Sequence, residues 1–138
     1  MGWLFNAFAP QGIGLSPDYV QHPLWRPASA ERAYSLWREG ALLVDARDPG
    51  AYKEGRVRGA VNLPPREWEL MFPLLEPELR KAGQVVVYGR TTSRFPAARM
   101  AQRLRKAGLA DVWATEAGLA ELKQAGLPLR QGRRGQGS

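Results

Sequence analysis

Six consecutive residues carry the densest chemistry in this chain: Gly89-Arg90-Thr91-Thr92-Ser93-Arg94, two guanidiniums and three hydroxyls with no acid among them. An arginine fork matches the oxygens of sulfate, phosphate or carboxylate, and charge-assisted hydrogen bonds of that kind are the strong ones. Covalent catalysis is a different matter, because it needs a side-chain atom able to bond the transferred group and a base to activate it. The chain has no cysteine and a single histidine, His22, which sits among prolines far from the loop. A catalytic residue is therefore not assigned. The same counts exclude a metal site built on Cys or His, and no cofactor is expected.

The flanking residues position this loop. Gln84-Val-Val-Val-Tyr88 is a short apolar run rich in β-branched residues, the pattern of a strand buried on both faces. Pro96 suits the first turn of a helix, where its missing N–H costs nothing. Ala97, Met100, Ala101 and Leu104 then recur at helical spacing and give that helix one apolar face. Strand, compact polar loop and helix start together aim backbone N–H groups and the positive end of a helix dipole at one point. This is a cradle for an anion.

The stretch from Tyr88 to Arg94 resembles the active-site loop of rhodanese-like domains. In that family a cysteine opens a six-residue loop between a buried strand and a helix and carries sulfur as a persulfide. Gly89 stands at the matching position here. A second block is similar to the family's other signature: Leu42-Leu43-Val44-Asp45-Ala46-Arg47-Asp48-Pro49, then Tyr52, Gly55, Val57 and Gly59-Ala60-Val61-Asn62-Leu63-Pro64. A third, Gly108 through Val112, Glu116, Gly118 and Ala125 to Leu129, looks like the family's closing strand and helix. Together they cover roughly residues 28 to 130. Departures are Arg56 for a common histidine, Arg58 for a common proline, and Ala117 and Leu122 for a usual glycine and tryptophan. The resemblance implies an α/β fold with a central, mostly parallel five-stranded sheet flanked by helices on both faces. It argues against the family's chemistry, since a hydroxyl cannot accept sulfane sulfur.

The pattern along the chain agrees. Residues 1–28 read as an irregular lead-in punctuated by proline and glycine, with Trp3, Leu4, Phe5 and Phe8 expected to pack back on the domain. Residues 29–129 read as the domain. Ser29 is the expected N-cap of a helix with Ala30, Ala33, Tyr34 and Trp37 inside and Gly40 at its end. Strands are expected at 41–46, 60–63, 84–88 and 111–114, and helices at 49–53, 65–79 with a break at Pro73, 95–107 and 117–125. Strands alternating with helices imply a parallel sheet whose ligand site lies beyond the strand carboxyl ends. Residues 89–94 fall there, with Asp45 and Arg47 as supporting residues, the carboxylate read as a cap of the following turn and the arginine as the partner of a neighbouring acid. Arg94 has acid partners within reach of the same reading: Asp45, Asp48 or Glu116. Residues 130–138, rich in Gly, Gln and Arg, read as a disordered basic tail.

With 138 residues, 44% of them hydrophobic, the chain is long enough for one real core without a disulfide or metal staple. A net charge of +7 favours acidic partners or small anions. Part of that charge is the outer stripe Arg99, Arg103 and Lys106 of the helix after the loop. That stripe reads as a solvated face, because the helix interleaves no aromatic with it as single-strand binders do. There is no membrane-spanning run of apolar residues and no basic leader, so a cytoplasmic location is the default. Three functional classes follow. The first is a non-catalytic module holding a small oxyanion (sulfate, thiosulfate or phosphate) or an acidic protein partner at the former active-site loop. The second is a thiosulfate sulfurtransferase whose cysteine is engineered away or supplied in trans. The third is a basic nucleic-acid accessory protein.

Overall fold

A computed structural model of the chain describes residues 25–89 and 96–131. Five strands form one sheet: β1 (Arg26–Ala28), β2 (Leu42–Asp45), β4 (Val61–Asn62), β5 (Gln84–Tyr88) and β6 (Asp111–Thr115). Their order is β1-β6-β5-β2-β4 and every pairing is parallel. A separate antiparallel pair joins β3 (Gly55–Val57) to β7 (Leu129–Gln131). The helices are α1 (Ala30–Arg38), α2 (Pro49–Glu54), α3 (Trp68–Ala82), α4 (Pro96–Lys106) and α5 (Leu119–Ala125).

β5 is the central strand, and its alternation builds both halves of the core. Val85 and Val87 face one way, packing with Leu79 of α3 and with Ala97, Met100, Ala101 and Leu104 of α4. Val86 and Tyr88 face the other way, against Ala33 and Leu36 of α1 and Leu122 of α5. A parallel sheet buried on both faces needs such continuous apolar strands, since neither face can be left to water. The helical spacing predicted for α4 is the buried face observed. In α1 the Ser29 hydroxyl accepts from the Arg32 N–H at 3.0 Å, as the cap requires. Its buried face is Ala33 and Leu36, with Tyr34 and Trp37 half-buried beside them.

Three local expectations differ from the structure. The helix expected to break at Pro73 runs unbroken from Trp68 to Ala82, with Pro73 and Pro77 inside it and a short 3₁₀ turn at Pro65–Glu67 before it. Its inner side chains Trp68, Met71, Phe72, Leu75 and Leu79 recur at helical spacing and pack on the core. That packing outweighs the two lost backbone hydrogen bonds. The expected irregular lead-in ends in a strand, for Arg26–Ala28 pairs with Trp113–Thr115. Its edge position tolerates Pro27. The basic tail expected from residue 130 begins inside β7, where Arg130 and Gln131 pair with Arg56 and Gly55.

Candidate functional site

The carboxyl ends of the parallel strands meet the starts of α1 and α4, and the site grows from there. Gly89 follows β5 directly and is buried. On the neighbouring strand the Ala46 N–H donates to the Tyr88 carbonyl at 2.9 Å, so the ends of β2 and β5 are locked side by side. Asp45 lies in register with Tyr88. The sequence-predicted Asp45, Arg47 and Gly89 are thus brought to one edge. Arg90, Thr91, Thr92, Ser93 and Arg94 lie outside the described residues.

Asp45 is 0% exposed, and its carboxylate is fully engaged by Arg47. Oδ1 accepts from the Arg47 backbone N–H at 2.8 Å and from Nε at 3.0 Å, while Oδ2 accepts from the terminal guanidinium nitrogen at 2.7 Å. The same guanidinium nitrogen donates to the Gly55 carbonyl. Burial works against the charge on Arg47, but the hydrogen bonds and charge of Asp45 overcome it and hold the guanidinium above its ordinary range. The Arg47 side chain is 13% exposed, and its Nε and one terminal nitrogen are committed to Asp45 and the Gly55 carbonyl. These bonds brace the ends of β2 and β3.

Sequence reasoning missed the rest of this brace. The Tyr88 hydroxyl accepts from the Val57 N–H at 3.0 Å, and the Arg47 guanidinium lies 5.7 Å from the Tyr88 ring. Burial, then the nearby Asp45 charge, pushes the Tyr88 phenol well above its usual range, so it stays neutral. Asn62 donates its side-chain amide to the carbonyls of both Asp45 and Arg47 at 3.0 Å. The Tyr52 hydroxyl donates to the Ala60 carbonyl. A tyrosine closing an otherwise apolar strand was the available signal, since its polar tip must find a partner when buried.

Beside Gly89's strand, a cleft of about 870 Å³ opens at the sheet's carboxyl edge. Its described walls are the end of β1, the first turns of α1 and α4, the end of β6 and the near side of α5. Glu31, Glu116 and Glu121 line it, and among the described residues no Lys or Arg does. Thr115, buried at the end of β6, accepts the Ala117 N–H at 3.1 Å on its hydroxyl and shapes the turn into α5. Glu121 accepts the Gly118 N–H at 2.7 Å. Of the acids weighed as partners for Arg94, Asp45 is taken by Arg47, and Asp48 pairs with Arg66 at 3.3 Å.

The basic stripe of α4 has an aromatic partner that its own sequence does not contain. Arg103 lies 4.5 Å from the ring of Trp68 on α3, and Trp68 stacks on Phe72 at 4.4 Å. The ring is engaged within the protein, which leaves it a poor platform for a base. Among the described residues no helix is long and apolar enough to cross a membrane.

Known proteins share this architecture. A curated relative, thiosulfate sulfurtransferase GlpE of Pseudomonas entomophila, is 51% identical over 35 residues. That match spans 25% of this chain and only about a third of the relative's length. The rhodanese-like domain from the Alr3790 protein of Anabaena sp. superposes with a TM-score of 0.61 at 24% identity, covering 81% of this chain and 86% of that one. RPA3614 of Rhodopseudomonas palustris, described as of unknown function and a possible tyrosine phosphatase, superposes with a TM-score of 0.62 at 21% identity, covering 89% and 100%. At these identities both structures speak for the fold alone. Residues 29–125 match the rhodanese-like domain family, which is most of the chain, and the chain belongs to that family.

Proposed function

We propose that this chain is a non-catalytic rhodanese-fold module that holds a small oxyanion at residues 89–94. The observation that carries this reading is Gly89 itself. It is buried at the carboxyl end of the central strand, where the family's loop places its nucleophile, and it has no side chain. Sulfur transfer needs a thiolate to accept the sulfane sulfur, and phosphate-ester chemistry of the cysteine-dependent kind needs the same atom. The chain has no cysteine to supply it. What the loop retains is donors: backbone N–H groups, three hydroxyls, Arg90 and Arg94.

The charge of the neighbouring cleft selects among ligands. Glu31, Glu116 and Glu121 at its described walls repel an extended polyanion such as a nucleic acid more than a small anion. Sulfate, thiosulfate and phosphate are the candidates, and the curated relative's name makes thiosulfate the first to try.

The test is calorimetric titration of the full chain with thiosulfate, sulfate and phosphate, beside Arg90→Ala and Arg94→Ala. Saturable binding that weakens by about 10- to 100-fold on removing one charge-assisted contact supports the reading. Sulfur transfer to cyanide by the unaltered chain would refute it.

A further inference from the structure

Helix α3 is apolar on two faces, and among the described residues only one of them is packed against the rest of the chain. Its inner face packs on the core, as described above. Its outer face carries Leu70, Pro73, Leu74 and Pro77, spaced at i, i+3, i+4 and i+7 and all exposed. Leu70 is 66% and Leu74 68% exposed, and among the described residues they are the exposed large hydrophobic side chains. Scattered surface leucines are ordinary, but two of them one turn apart with two prolines form a continuous stripe. The prolines lack N–H groups, so the carbonyls of Glu69 and Pro73 are left without their intrahelical donors on this helix.

We infer that the outer face of α3 is the docking surface for the chain's own N-terminal segment, with Trp3, Leu4, Phe5 and Phe8 laid along Leu70, Pro73, Leu74 and Pro77. Twenty-four residues precede Trp25, and the first charged side chain among them is Asp18, so the segment suits an apolar stripe. Trp25 packs on the same core cluster as the inner face of α3, which brings the chain in on the side of the sheet that α3 covers. The stretch from Phe8 to Trp25 reaches roughly 55 Å when extended, whereas five strands span roughly 20 Å. The tether is therefore ample. It also holds the segment at an effective concentration of about millimolar order, above that of any second copy in dilute solution. Trp3 and Asn6 carry side-chain N–H donors suited to the two freed carbonyls.

A chain without cysteine makes the test direct. Leu74→Cys and, separately, Leu70→Cys are reacted with a maleimide beside Lys123→Cys, an exposed control on α5. Both α3 thiols are expected to react about ten-fold slower than the control, at a rate ratio that does not change on dilution. In a background carrying Leu4→Ser, Phe5→Ser and Phe8→Ser, the three rates are expected to converge. Equal rates in the parent chain would overturn the inference. So would protection that vanishes on dilution, which assigns the face to a second copy. Protection that arises only with vesicles of phosphatidylcholine and phosphatidylglycerol would overturn it too, by assigning the face to a lipid surface.

Discussion

Asp45 and Arg47, two residues apart, close a bidentate ion pair at 2.7 Å whose carboxylate has no contact with solvent. The pair ties the end of β2 to the Gly55 carbonyl at the start of β3, so it spans two elements that share no sheet. Removing one member strands the other's charge in a poorly hydrated place. Asp45→Ala is expected to cost about 3–5 kcal/mol of stability. Arg47→Ala should also destabilise, and the double variant should lose less than the sum by about 1–3 kcal/mol. Urea unfolding of the three variants checks this.

Tyr88 gives the fold a sensitivity to high pH. Its phenol has a folded pKa raised above the ordinary 10.0, first by burial and then by the Asp45 charge. For an acid whose folded pKa is raised, the folded state binds more protons once the unfolded phenol begins to ionise. Its contribution is therefore complete below about pH 10 and is lost as pH rises toward the folded value. Urea midpoints between pH 9 and pH 11 should fall more steeply for the parent chain than for Tyr88→Phe. The variant should itself be less stable by about 1–3 kcal/mol at neutral pH, because the Val57 N–H loses its acceptor.

Gly126 ends α5 at φ +120°, and a Cβ there would sit 2.8 Å from the Tyr34 ring. Gly126→Ala therefore combines backbone strain with a clash, and a loss of about 1–3 kcal/mol is expected. Tyr34→Ala in the same chain should remove the clash and leave the strain. Thermal melts of the two single variants and the double variant separate these contributions.

The Gly89 position makes a prediction about chemistry. Gly89→Cys places a thiol between a strand end and a helix start, where a lowered thiol pKa is expected. Incubated with thiosulfate, the variant should gain the mass of one sulfur atom as a persulfide and release sulfite, whereas the parent chain gains nothing. Mass spectrometry of the intact chain reads both outcomes.

What could be read from the sequence follows from how local each signal is. The β5 run, the Ser29 cap and the apolar face of α4 are fixed by residues within a turn or two of one another, and the structure has them where the spacing placed them. That Asp45 caps a turn and that Arg47 pairs with a nearby acid was legible, because the groups lie within a few residues of one another; that the acid is Asp45 itself was not. The strands β1, β3 and β7 were not legible, since each is three residues long and owes its existence to a distant partner. Pro73 misled because a local rule about proline competes with five inward side chains whose burial is a property of the whole fold. The Trp68–Arg103 contact escaped for the same reason: its two members sit on different helices.

Among the described residues the first strand of the sheet pairs with β6 alone, with Arg26 opposite Trp113 and Ala28 opposite Thr115. During synthesis, Arg26–Ala28 must therefore wait unpaired until residues beyond 111 have left the ribosome. Pairings so distant close slowly, because the intervening loop must be ordered before any contact rewards it. A transcript cut short before that point would release a polypeptide whose β5 lacks a neighbour on one side, an open template for other chains.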